Sequence, residues 1–201
     1  MCGITGVYSL SMTAQAREAA VSAMNAAQAH RGPDGSHWAS VGAVTLGHNH
    51  LKIMDLSEDS NQPYRFEQLS MVFNGEVYNY LELRRELQQL GYSFETSSDT
   101  EVILKSYHCW GEASVARFVG MWALAIWDDR KSQLFCSRDR FGIKPLVYQK
   151  QPDGTLSFDQ LDWLDSKKMA KLMRDYQGGD LRQAKLVWKL CSLNYWLKND
   201  F

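Results

Sequence analysis

The chain opens Met1-Cys2-Gly3-Ile4-Thr5-Gly6-Val7-Tyr8, and the reading of this stretch decides the fold. Apolar and β-branched residues predict a short buried strand over residues 1–8. Gly3 and Gly6 within it mark close backbone approach or a bulge. A small second residue permits removal of the initiator Met. Cys2 then carries a thiol and a free α-amino group on one residue, with reference pKa values of roughly 8.5 and about 7.7–8.0. The amine can take the thiol proton near neutral pH, directly or through a water. This is the logic of an N-terminal nucleophile that supplies its own general base. Intact mass would show the removal of Met1.

Outward from that strand, residues 13–29 are rich in Ala, Gln and Met and predict a helix with Thr13 as N-cap. His30-Arg31-Gly32-Pro33-Asp34-Gly35 ends it. Residues 41–54 predict one or two strands, and 55–66 a polar, irregular stretch containing Pro63. Residues 69–73 predict a short strand, and Asn74-Gly75 behind it is a turn signal. Leucines at 81, 83, 87 and 90 predict an amphipathic helix over 80–90, closed by Gly91. Ser98-Asp99-Thr100-Glu101 fits the N-terminus of a helix over 99–110. Residues 119–128 and 133–138 predict paired strands, and 141–149 another. Gln151 to Leu156 holds Pro152 and Asp153-Gly154, a turn or linker. Beyond it, 159–176 and 181–197 predict two helices parted by Gly178-Gly179. Layered strands and helices imply an α/β or α+β domain of about 150 residues with a helical tail.

The composition excludes several classes. The chain has 201 residues, 45% hydrophobic and 22% charged, ordinary for a globular protein able to bury its own core. Lys+Arg total 22 against 23 Asp+Glu, a net charge of -1, which argues against nucleic-acid or membrane-surface partners. The longest strongly apolar run, 118–127, falls far short of the roughly 20 residues a bilayer helix needs. No basic patch precedes an apolar stretch at the N-terminus, so no secretion signal is expected. Cys2, Cys109, Cys136 and Cys191 form no CxxC pair and no metal-ligand spacing. No cofactor or metal is expected, and a reduced, cytoplasmic setting follows.

A thiol that attacks a carboxamide needs donors aimed at the developing oxyanion. The Asn74 side-chain NH2 and the Gly75 backbone N–H are candidates, with a plain hairpin turn as the alternative. An amino-acid substrate needs acceptors for its ammonium group, and Glu76 and Asp99 are candidates there.

Six fragments occur in order: Cys2-Gly3-Ile4-Thr5-Gly6, His30-Arg31-Gly32-Pro33-Asp34, Leu46-Gly47-His48, Asn74-Gly75-Glu76-Val77-Tyr78-Asn79, Ser98-Asp99-Thr100-Glu101 and Arg138-Asp139-Arg140-Phe141-Gly142-Ile143-Lys144-Pro145. Together they resemble the glutaminase domain of glutamine-hydrolysing asparagine synthetases, a class II glutamine amidotransferase. The resemblance covers residues 1–150 and implies an α+β fold, the four-layer αββα sandwich of N-terminal-nucleophile hydrolases. It implies hydrolysis of L-glutamine to glutamate and ammonia through a Cys2 thioester. Position by position, Cys2 matches the nucleophile, and Asn74 and Gly75 the oxyanion hole. Glu76 and Asp99 match the holders of the substrate amino end, and Ile53 and Met54 match the backbone lining the pocket. Arg31 matches a motif arginine near the nucleophile, either a substrate contact or a loop-ordering ion pair. Arg138 and Asp139 are expected to be structural or to lie on an interdomain surface.

The sequence departs from the family twice. The arginine that grips the glutamine α-carboxylate is replaced by His50, in His48-Asn49-His50-Leu51-Lys52-Ile53. A guanidinium is a fixed two-pronged donor, whereas a neutral imidazole offers at most one donor. Losing that grip costs on the order of 2–4 kcal/mol, or roughly 30- to 1000-fold in affinity. Three consequences stay open: partial compensation by Lys52, a related carboxamide as substrate, or a weak or inactive domain kept as a binding or regulatory subunit. The second departure is the missing Ser-Gly-Gly-x-Asp-Ser pyrophosphate loop of the synthetase half. Gln177-Gly178-Gly179-Asp180 lacks both serines and reads as a helix break. Residues 186–201 resemble, more weakly, the far C-terminal helix of full-length members. The expected organisation is thus a glutaminase domain at 1–150 and a two-helix tail at 151–201. A synthetase partner supplied in trans would use the ammonia, with Trp163, Trp188 and Trp196 offering a docking surface or covering the domain itself. A remnant of a full-length synthetase is the remaining alternative.

Overall fold

A computed structural model describes residues 2–51 and 61–159. Strands β1 (Gly3–Tyr8), β2 (Gly35–Val41), β3 (Val44–His50), β8 (Val147–Lys150) and β9 (Leu156–Asp159) form one antiparallel sheet in the order β2-β3-β1-β9-β8. Strands β4 (Tyr64–Phe66), β5 (Leu69–Val77), β6 (Gly120–Asp128) and β7 (Gln133–Arg138) form a second, in the order β4-β5-β6-β7. Helix α1 (Ala14–Ala27) covers the first sheet, and α2 (Tyr80–Gln89) and α3 (Asp99–Trp110) cover the second. The result is the expected four-layer αββα sandwich.

Period-two alternation builds the layers. In β5, Leu69, Met71 and Phe73 join Leu83, Leu87, Val102, Ile103, Leu104, Trp122 and Leu124 in the core under α2 and α3. Val72 faces the other way and meets Ile4, Val44, Leu46, Ala123, Ala125, Trp127 and Phe158 between the sheets. Gly6 lies under the ring of Phe158, at a distance no Cβ could share.

The caps fall where the sequence puts them. Thr13 accepts the Ala16 N–H at 3.2 Å, and Ser98 accepts the Thr100 N–H at 3.1 Å. Glu101, one turn into α3, accepts the backbone N–H groups of Glu95 and Thr96 and pairs with Lys105. The loop ahead of α3 is thereby closed.

Several expectations are corrected. Asn74-Gly75 is not a turn: β5 runs straight through it, with Asn74 opposite Ala123 and Gly75 opposite Trp122. Of the α2 leucines only Leu83 and Leu87 are buried, while Leu81 and Leu90 are about half exposed at 47% and 55%. Residues 36–40, to which the sequence assigns no element, form an edge strand together with Gly35 and Val41. Residues 141–146 are loop rather than strand. For residues 151–155, read as a turn or linker, the turn holds: they close a hairpin, with Gly154 at φ 84°. Strand β9 therefore lies inside the first sheet, and the domain passes beyond residue 150. Asp159 is strand rather than helix. The rest of the expected two-helix tail, Lys52, Ile53 and Met54 lie outside the described residues.

Candidate active site

The inner faces of the sandwich are apolar at one end and polar at the other. Along β3 the inward residues run Val44, Leu46, His48, His50. On β1 they run Gly6, Ile4 and then Cys2, which precedes the strand. Along β5 they run Val72, Asn74, Glu76. The two sheets thus present Cys2, His48 and His50 from one side and Asn74 and Glu76 from the other. Periodicity alone sorts these residues onto facing surfaces.

Cys2 is half-buried. Its Sγ receives the Leu51 N–H at 3.4 Å and lies 3.7 Å from the Leu51 carbonyl. Burial pushes the thiol above its ordinary pKa. The Leu51 N–H, the chain's amino terminus and the Lys144 ammonium pull the other way without cancelling it. A protonated thiol at rest therefore needs a base to become a nucleophile. Arg31, in the 3-10 turn after α1, donates from Nε to the Cys2 carbonyl at 3.3 Å. Its Nη2 is buried with no hydrogen-bond partner among the described residues. It thus both orders the Cys2 backbone and keeps an unused donor beside it.

Asn74 is buried at the centre of β5. A Cβ on Gly75 would collide with the Met121 carbonyl and come within 2.8 Å of the Phe73 ring and the Trp122 Cα, so only glycine lets β6 approach. Asp99 opens α3, is buried, and accepts the Val77 N–H at 3.0 Å. Burial, followed by the neighbouring Glu76 carboxylate, pushes Asp99 up to about 6, although the Val77 and Thr100 N–H groups oppose the shift. Two carboxyl groups so placed can receive an ammonium group.

His50 is buried, and its Nδ1 lies 3.2 Å from Asn61 Oδ1. If Nδ1 donates to Asn61 Oδ1, a ring carrying one proton has only an acceptor left at Nε2, which a carboxylate does not want. His48 is fully buried, its ring centroid 5.3 Å from that of His50. Neither of its ring nitrogens has a hydrogen-bond partner among the described residues. Burial first, then His50 and His37, push it down to about 3, so His48 is neutral at every working pH.

Sequence reasoning missed Lys144, which was quoted in a motif but given no role. It is buried and sits within electrostatic reach of Arg31, Cys2, Glu76 and Asp139. Asp139, expected to be structural or to lie on an interdomain surface, organises the loop that follows it. Its carboxylate accepts the N–H groups of Phe141 (3.1 Å), Ile143 (2.9 Å) and Lys144 (2.9 Å). Arg138 donates to the Gly142 carbonyl at 2.7 Å. Asn61 is a second residue without a sequence signal. Among the described residues no group of three or more His, Cys, Asp or Glu could hold a metal ion. No helix among them is long and apolar enough to cross a membrane.

Comparison with known proteins gives the family. A family model described as a glutamine amidotransferase domain matches residues 1–173. Asparagine synthetase [glutamine-hydrolyzing] 1 of Bacillus subtilis is 41% identical over 152 residues, covering 74% of this chain and 24% of that protein. A putative asparagine synthetase [glutamine-hydrolyzing] of Mycobacterium tuberculosis is 43% identical over 172 residues, 77% of this chain and 26% of the relative. The chain thus spans about a quarter of the length of these relatives. Among solved structures, the glutamine phosphoribosylpyrophosphate amidotransferase of Bacillus subtilis superposes with a TM-score of 0.64 at 20% identity, over 79% of this chain and 42% of that one. That likeness shows a shared fold.

Proposed function

The chain belongs to the glutamine amidotransferase domain family, and from that premise we propose that it is a glutaminase acting through Cys2. One observation carries the reading: Cys2 stands at the polar end of the sandwich with Asn74 and Glu76 on the facing sheet, and Lys144 is within reach of both Cys2 and Glu76. With Met1 removed, the Cys2 amine takes the thiol proton, and Sγ attacks the side-chain amide carbon of glutamine. The Asn74 NH2 and the Gly75 N–H hold the oxyanion. The amine returns the proton to the departing nitrogen, which leaves as ammonia. Water attacks the thioester, glutamate leaves, and the thiol is restored. Glu76 and Asp99 hold the substrate ammonium group, and Arg31 lines the pocket. No cofactor takes part.

The amide nitrogen serves a synthetase that this chain meets as a partner, because free ammonia is dilute and protonated in solution. A second reading rests on His50. With the family's carboxylate-binding arginine replaced and the imidazole engaged by Asn61, the pocket binds glutamine weakly and the domain serves as a binding or regulatory subunit. Glutamate release from glutamine separates the two. The glutaminase reading requires release that Cys2→Ala abolishes. The subunit reading requires none from either form.

A further inference from the structure

Position 50 is where the sequence departs from its family, and the surroundings of His50 give it a use other than gripping a carboxylate. The β1–β3 register pairs Ile4 with His48 and Gly3 with Asn49. Continued by one residue, it sets Cys2 opposite His50. Residues opposed in this way share a face of the sheet, with Cβ atoms about 4.5–5.5 Å apart. A hydrogen bond fixes the same placement from the sulfur. Sγ receives the Leu51 N–H at 3.4 Å. That nitrogen is two covalent bonds from the His50 Cα, so Sγ lies within about 6 Å of that atom. An imidazole, alone or with one water, bridges such a gap.

The ring is held from its other side. His50 Nδ1 lies 3.2 Å from Asn61 Oδ1. With that oxygen accepting, Nδ1 carries the ring proton and Nε2 presents a lone pair. An acceptor that repels a carboxylate suits an S–H group. On the β2 flank the residue opposite His50 is Gly35, so no side chain stands there. The charged and titratable neighbours leave the proton to His50. His48 on β3, its ring centroid 5.3 Å away, is fully buried and neutral. His37 on β2 is exposed and pairs with His48, one step further from Cys2. Arg31 bonds the Cys2 carbonyl and Lys144 acts on Cys2 through space; as cations they favour a thiolate without accepting its proton. Thiol, imidazole and orienting amide are the groups by which unrelated folds activate a cysteine.

We propose that His50 is a second proton acceptor for the Cys2 thiol, with Asn61 as its positioning residue, so that activation of the sulfur does not depend on the Cys2 amine alone. The inference rests on Cys2 being the nucleophile. The S–H bond breaks toward His50 Nε2, directly or through one water, and the ring becomes an imidazolium that donates Nδ1–H to Asn61. The S–C bond forms at the substrate carbonyl as its π pair moves onto oxygen. As the C–N bond breaks, the imidazolium returns the proton to the leaving nitrogen. Ammonia departs and the neutral ring is restored.

The test needs no substrate. The full chain is alkylated with iodoacetamide across roughly pH 5.5–10, and carbamidomethylation of the N-terminal peptide is followed by mass spectrometry in wild type, His50→Gln and His50→Phe. At pH 7 roughly three-quarters of an ordinary imidazole is free base, against about one-seventh of an ordinary α-amine. Both variants are therefore expected to react about fivefold more slowly than wild type at pH 7 and to converge on its rate at the alkaline plateau. His50→Arg is no test, because a guanidinium beside the sulfur favours the thiolate as an imidazolium does. The inference is overturned if the variants' profiles superimpose on wild type. It is equally overturned if they are lowered by the same factor at every pH, because that is lost access or packing rather than a lost base. If one variant fails to fold, the other decides by the same criteria. If neither folds, wild type decides alone: an inflection in the imidazole range below pH 7 supports the inference, and a single inflection near pH 8 or above overturns it. A lost neutral-pH limb in a chain that releases no glutamate leaves this inference standing and removes the glutaminase reading. Glutamate release with unshifted variant profiles does the reverse.

Discussion

Asp99 is a place where the site should work against the fold. Its carboxyl is buried at the head of α3 beside Glu76 and titrates near 6 instead of the ordinary 3.8. Between those values the folded chain holds a proton on Asp99 that the unfolded chain has released. Stability therefore falls as pH rises through this window, and above it the full penalty is present. Roughly two pKa units at 1.36 kcal/mol each give about 3 kcal/mol. Asp99→Asn keeps an oxygen for the Val77 N–H and removes the charge. The variant should be more stable than wild type by about 2–3 kcal/mol at pH 8 and by nearly nothing at pH 3.5, where Asp99 is protonated in both states. For a chain of this size that is on the order of 4–12 °C in Tm at pH 8. The same substitution removes an acceptor for the substrate ammonium, so the KM for glutamine should rise by at least tenfold. Thermal melts at the two pH values, with glutamate release at pH 8, provide the assay. Equal stabilisation at both pH values would refute the reasoning, since that would be packing. So would a gain in stability with unchanged KM.

Two further outcomes follow from the same geometry. Gly75→Ala places a methyl against the Met121 carbonyl and the Trp122 backbone, so β5 and β6 must part. A loss of about 2–4 kcal/mol in urea titration and of nearly all activity is expected, and a wild-type midpoint would contradict it. His50→Arg returns a two-pronged donor to the inward face of β3. The KM for glutamine should fall by roughly 30-fold or more with kcat little changed, as steady-state kinetics would show.

The sequence exposes those parts of the fold that local chemistry decides. Thr13 and Ser98 cap their helices because a hydroxyl beside an orphan N–H needs no tertiary help. Asn74-Gly75 misleads for the opposite reason. The pair favours tight turns, but here the glycine answers a neighbouring strand, and only β6 reveals that. Strand β2 escapes notice because an edge strand of Ser, His, Trp and Ala carries little periodic burial. Residues 141–146 look extended, yet the Asp139 carboxylate gathers their N–H groups into a loop. The candidate site was legible through its motifs, and Cys2, Asn74 and Glu76 emerge on facing surfaces. Lys144 and Asn61 were not, because what gives them meaning is proximity across 142 and 11 residues of chain, to Cys2 and His50 respectively. Burial of His48 with no hydrogen-bond partner among the described residues is likewise a property of packed strands.

The account depends on Cys2 being a working nucleophile in a glutamine-shaped pocket. Incubation of the full chain with a diazo-ketone analogue of glutamine, followed by mass spectrometry of the N-terminal peptide, tests this directly. One adduct per chain on Cys2, on a peptide lacking Met1 and protected by excess glutamine, is the predicted result. A free Cys2 amine with no adduct, or modification spread over Cys109 and Cys136, would contradict it.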